Sequence, residues 1–113
     1  MDLLNKDTED LQIIDLGNNR KEHLSESWLA AFGWWTKLLL KKMFGEEILA
    51  PVILKGTPSE INSFYQALSR EKKYMQAYMD FGLNDARTIK NRILLDTAVK
   101  KFTNTTGLKW PFR

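Results

Sequence analysis

The sequence predicts an α+β domain, mostly helical, in which three helices cover a small two-stranded sheet. Three observations carry this. Apolar residues recur at helical spacing near 27–44, 58–81 and 85–105. Two short runs rich in β-branched residues, 11–16 and 51–55, are bounded by turn-forming residues. The chain has 113 residues, 43% of them hydrophobic, which is enough for one modest core and too little for two.

Residues 1–10 are polar and acidic and read as a flexible terminus ahead of a single domain over 11–113. Leu11-Gln12-Ile13-Ile14-Asp15-Leu16 stops at Gly17-Asn18-Asn19 and reads as the first strand. Ser25 or Ser27 is placed to cap the first helix, and Gly45 suits its left-handed end. Pro51-Val52-Ile53-Leu54-Lys55 is the second strand, with proline confining it to a strand start or an edge. Two strands do not hold together alone, so either the helices cover them or a second copy of the chain extends the sheet.

Thr57-Pro58-Ser59-Glu60 is the clearest local signal. Thr57 can accept from the first amide groups, Pro58 fits the first helical position, and Glu60 closes a capping box. The helix that follows lines up Ile61, Phe64, Leu68, Met75 and Met79, with Tyr74, Tyr78 and Phe81 beside them. Lys72 and Lys73 break this stripe and allow a kink near Ser69 or Arg70; Gly82 ends the helix. Asn84 or Asp85 caps the third helix, whose expected inner face is Ile89, Ile93, Leu94, Ala98 and Phe102, and Gly107 stops it. Trp110 and Phe112 in the last six residues should fold back on the helices.

The first helix decides most of the function. Trp28, Phe32, Trp35, Leu39 and Met43 fall within about 80° of one another when wound at about 100° per residue. Ala30, Lys37 and Lys41 form a narrow stripe opposite, and Trp34 and Leu40 widen the apolar face to its edges. Such a face is buried in a core, in a partner, or in a membrane interface, where tryptophan and lysine helices prefer to lie. A short apolar stretch with Lys37 in its middle argues against spanning. The candidate membrane- or partner-binding residues are therefore Trp28, Phe32, Trp34, Trp35, Lys37, Leu40, Lys41 and Lys42. Trp110, Phe112 and Arg113 form a second candidate, a partner-binding tail, and the acidic start is a third.

Catalysis finds little support. No glycine-rich phosphate loop or dinucleotide fingerprint is present, so no cofactor is expected. The single histidine, His23, and the absence of cysteine leave any metal site to carboxylates alone. Asp7-Thr8-Glu9-Asp10 lacks the spacing of a calcium loop, and Ser25 and Glu26 beside His23 are poorly placed for a triad. The net charge of +3 conceals a net −4 over residues 1–17 and +7 over the rest. A basic body favours anionic partners, lipid headgroups or phosphate backbones. Tyr65, Tyr74 and Tyr78 among Arg70, Lys72 and Lys73 make a small nucleic-acid-binding module one rival reading. An adaptor or inhibitor of a host protein is another. With no signal-peptide pattern, the chain reads as cytosolic.

Several stretches resemble the small head-vertex (portal) assembly chaperones of T-even-type tailed phages. They are Asp15-Leu16-Gly17-Asn18-Asn19-Arg20-Lys21, the Trp28 to Gly45 segment, Gly56-Thr57-Pro58-Ser59-Glu60-Ile61, Arg70-Glu71-Lys72-Lys73-Tyr74-Met75, Tyr78 to Leu83, and Thr106-Gly107-Leu108-Lys109-Trp110-Pro111-Phe112-Arg113. The resemblance covers about residues 11–113. It implies a non-catalytic morphogenesis factor that helps the phage portal protein assemble and start a prohead. The implied location is the host cytoplasm, peripheral to the inner face of the inner membrane, and such a factor is absent from the mature virion. The implied partner is the phage portal protein; an anionic membrane surface and a second copy of the chain are the partners suggested by the tryptophan helix and by the two-stranded sheet.

Overall fold

The computed structural model describes residues 12–17, 26–46 and 52–112. Its elements run β1 (Gln12–Asp15), α1 (Glu26–Met43), β2 (Val52–Lys55), α2 (Pro58–Phe81) and α3 (Ala86–Thr106). The fold is α+β and mostly helical, as the periodicity predicts. His23, Ser25, Arg113 and the acidic start lie outside the described residues. Because α1 already begins at Glu26, Ser27 falls within it.

β1 and β2 pair in parallel, with Gln12 opposite Val52 and Asp15 opposite Lys55. A parallel pair needs a crossover connection, and α1 lies within it. Ile14 and the following Leu16 face inward and are buried, whereas the register partners Ile13 and Ile53 lie side by side on the outer face, about half exposed. Among the described residues, helices therefore cover one face of this sheet and none covers the other.

α1 ends in a Schellman arrangement. The Gly45 amide donates to the Lys42 carbonyl and the Glu46 amide to the Lys41 carbonyl, with Gly45 at φ 92°. At the start of α2 the capping box forms in full: the Glu60 amide donates to Thr57 Oγ1 at 3.2 Å, and the Thr57 amide to Glu60 Oε1 at 2.8 Å. α2 then runs as one continuous helix past Ser69 and Arg70 to Phe81. Asp85, rather than Asn84, caps α3, and Gly107 ends it at φ 77°.

The core is an aromatic cluster between α1, the first half of α2, the second half of α3 and the tail. Phe32 stacks on Phe102 with centroids 6.2 Å apart, and Phe102 meets Trp110 edge-on at 5.2 Å. Phe64 touches Phe32, Phe102 and Trp110. Leu68, Leu108, Ile14, Leu16, Trp35, Leu40 and Ala67 pack with it. Each large apolar side chain here contributes about 1.5–3 kcal/mol by leaving water. Trp110 does not leave its indole unsatisfied: Nε1–H donates to the buried Glu71 Oε1 at 2.9 Å.

The inner face of α3 differs from the expected one. Thr88, Leu95, Phe102 and Thr106 are buried, while Ile89 and Ile93 point outward. Thr88, Leu95 and Phe102 recur every seven residues, which is the repeat of one helix lying along another. A threonine can occupy the inner row because its hydroxyl donates to the Ala77 carbonyl across the hairpin at 3.1 Å.

Candidate functional site

Eight residues of α1 carry the sequence-derived site, and folding divides them. Phe32, Trp35 and Leu40 are buried in the core. Trp28 is half-buried and stacks on Phe32 with centroids 5.4 Å apart. Thr36, which interrupts the apolar run in the sequence, is fully buried, its hydroxyl donating to the Phe32 carbonyl at 2.6 Å. Only Trp34, Lys37, Lys41 and Lys42 face outward.

The structure thus corrects two expectations. Leu40 belongs wholly to the core and leaves the candidate surface with Phe32 and Trp35. Trp34 lies not at the edge of the apolar face but within the solvent-facing stripe, with Ala30 and Lys37 within a turn of it and Lys41 two turns along. It is 56% exposed, and its indole leans edge-on against Trp35 at 4.5 Å. The reason is angular: Trp35 is one residue away, about 100° round the helix, and both cannot face the core of a small domain. The remaining surface is a lone indole among three lysines, carried on a helix whose other side is fixed by aromatic packing.

The tail is corrected as well. Trp110 is only 1% exposed and is a core residue, so it offers no partner a contact without unfolding. Phe112 packs half-buried against Trp110 at 6.0 Å, and Pro111 approaches Gly33 of α1. Arg113 lies outside the described residues.

A second exposed apolar region went unread in the sequence. Phe32 meets Phe64 near the start of α1, and Phe44 lies under Lys72 just past its end, so α1 and α2 run in the same sense. At 24 residues, α2 outruns the 18-residue α1, and its last turns project with the first turns of α3. Tyr78, Met79, Phe81, Leu83, Ile89 and Ile93 are exposed there. The unequal helix lengths were the available signal, since at about 1.5 Å per residue the longer helix must overhang. The tip itself is ordered by charge. Arg87 Nε donates to Asp85 Oδ1 at 2.9 Å, and the guanidinium lies 3.5 Å from the Phe81 ring centroid. The side-chain hydrogen bond from Arg87, reinforced by its backbone amide, holds the Asp85 carboxyl down to about 2.

Among the described residues no cluster of three or more His, Cys, Asp or Glu is placed to hold a metal ion, and no helix is long and apolar enough to cross a membrane. No family model, curated protein or solved structure significantly matches the chain.

Proposed function

We propose that this chain is a non-catalytic phage morphogenesis factor that assists portal-vertex assembly and prohead initiation at the inner face of the host membrane. One observation carries the reading: the Trp34 indole, 56% exposed, stands among Lys37, Lys41 and Lys42 on a helix held rigidly from behind. An indole at headgroup depth with lysines beside it is the chemistry of reversible binding to an anionic bilayer. The sequence resemblance to portal-vertex chaperones supplies the assembly role and the portal protein as partner. A surface that holds lipid weakly suits a factor that gathers portal subunits at the membrane and then departs.

Flotation of the folded protein with vesicles of mixed neutral and anionic lipid tests the lipid half of this reading. Each lysine near an anionic surface contributes about 1 kcal/mol, so neutralising Lys37, Lys41 and Lys42 together should weaken binding by roughly two orders of magnitude. Trp34→Ala should reduce flotation while leaving the unfolding midpoint nearly unchanged, because the side chain is largely outside the core. If the protein never floats with anionic vesicles, with or without portal protein, the membrane reading is wrong. The assembly half is tested by capture from phage-infected lysate: a portal subunit supports it, and a host enzyme in its place supports an adaptor instead.

A further inference from the structure

A cleft of about 380 Å³ runs along the flank between α2 and α3, lined by Gln66, Ser69, Arg70, Lys73 and Ala98. Gln66 and Arg70 are one helical turn apart, and Ser69 and Lys73 repeat the step beside them. The α2 wall therefore carries two rows of hydrogen-bond donors, and Ala98, with a single methyl, keeps the α3 wall low. Among the described residues that line the cleft, none is acidic. Nor do Arg70 and Lys73 make an ion pair with any described residue. The acids of α2 are turned elsewhere. Glu60 closes the capping box, Glu71 accepts from the Trp110 indole, and Asp80 accepts from the Gln76 amide at 3.0 Å. Two like charges three residues apart on one helix thus stand beside a polar cleft, and no described residue offsets their repulsion.

We propose that this cleft binds a single phosphate group, carried by a phospholipid headgroup or by a small soluble phosphate ester. The donor set gives the first argument. A guanidinium can hold two oxygens of one phosphate through parallel N–H groups, and an ammonium brings a point charge to a third. Ser69 and Gln66 supply neutral donors for what remains. A carboxylate, with two oxygens and one charge, would leave part of this set unused. Room gives the second argument. At about 380 Å³ the cleft lies within the range of small-molecule sites, so the phosphate can bring its ester group with it. Position gives the third. In the sequence Arg70 and Lys73 stand among Tyr65, Tyr74 and Tyr78, as a track for a nucleic-acid strand would require. Folding separates them: Tyr74 and Tyr78 line a groove with Phe44 where α1 stops, and Lys72 lies over the Phe44 ring at 5.5 Å. Among the described residues the cleft keeps two cations and no stacking platform, which fits one compact anion and not a strand. It shares no described residue with the Trp34 face, and its occupancy does not depend on that face meeting lipid.

The test is a titration of the isotope-labelled full chain, followed by amide NMR shifts at a fixed ionic strength of about 100 mM. Inorganic phosphate should shift the amides of Gln66, Ser69, Arg70, Lys73 and Ala98 and saturate at roughly millimolar concentration, whereas chloride should not. Arg70→Gln with Lys73→Gln should weaken binding at least about tenfold and leave the thermal midpoint nearly unchanged, since neither side chain belongs to the core. Arg70→Lys, which keeps the charge and loses the fork, should lie between. Trp34→Ala should bind phosphate as the parent does. Glycerol phosphate and a short-chain phosphatidic acid below its micelle concentration, read at the same amides, distinguish the carriers. Tighter binding of the lipid assigns the cleft to a headgroup; equal or tighter binding of glycerol phosphate assigns it to a soluble ester. No saturable shift up to about 50 mM phosphate, shifts scattered over every lysine-bearing surface, or an indifferent double variant would overturn the proposal. So would a single-stranded oligonucleotide that displaces phosphate and binds these residues at least about a hundredfold tighter, since that assigns them to a strand.

Discussion

At one end of the α2–α3 hairpin Phe64 and Phe102 are sealed from water; at the other, Met79 and Ile93 are 63% and 60% exposed. The same two helices carry both ends, with similar apolar residues at similar spacing. What differs is the third layer. α1 and the returning tail cover the proximal half, and no described element covers the distal half. An apolar stripe on a helix therefore announces that something will bury it, and not what. In the proximal half the chain supplies the cover itself. In the distal half the two helices satisfy each other through the Thr88 to Ala77 clasp and leave their other faces to solvent.

The contrast is most easily broken by truncating one residue at each end. Phe102→Ala should cost about 3–5 kcal/mol in urea unfolding, and Ile93→Ser should stay within about 0.5 kcal/mol. Comparable losses at the two sites would mean that the distal end is also core. A second pair of changes sharpens the role of the tail. Glu71→Leu strips the Trp110 indole of its acceptor in a buried site and should cost about 1–3 kcal/mol, whereas Glu71→Gln, which keeps an acceptor, should cost clearly less. Equal costs would show that the hydrogen bond is incidental. The caps extend the comparison to local structure. Thr57→Ala removes half of the capping box and should lower stability by about 1 kcal/mol, seen as a lower thermal midpoint.

The smallest effect belongs to the tip. Asp85 titrates lower in the folded chain, at about 2, than its ordinary value of 3.8. Its contribution is therefore fully present above about pH 4 and is lost as pH falls toward 2. Thermal melts across that window should show a shallow acid-side decline that Asp85→Asn flattens. The pair is solvent-facing, so added salt should erase much of the difference. An unchanged profile in Asp85→Asn would assign the decline to other carboxylates.

The helices were legible in the sequence because their punctuation is explicit. Thr57, Pro58 and Glu60 fix one start; Gly45 and Gly107 fix two ends. Both strands fall where the β-branched runs lie. The orientation of each helix was less legible. Isoleucine spacing on α3 pointed to Ile89 and Ile93, yet the inner row runs through Thr88, because a hydroxyl can reach a carbonyl across the hairpin and a pattern of hydropathy does not register it. Leu40, expected at the edge of the apolar face, is sealed in the core instead. The helical wheel already sets Trp35 inside the apolar arc and Trp34 at its edge, but how far the edge turns out to solvent depends on where the rest of the core packs against α1. That packing is also what exposes the candidate lipid contact, so the site was legible as a helix and not as a face.

The parallel pairing of β1 with β2 has a consequence in time. Residues near Ile13 wait for partners near Ile53, and a whole helix must be made and placed between them before the ladder can close. The α2–α3 hairpin depends on no such delay, because its two helices are joined by a short turn at Gly82–Asp85. Contacts of high sequence separation form late. As the chain is synthesised, β1 exists first and is satisfied last, and in the interval it is a free strand with two adjacent isoleucines. Slow steps in refolding, and losses to aggregation, should therefore trace to this smallest element of the fold rather than to its long helices.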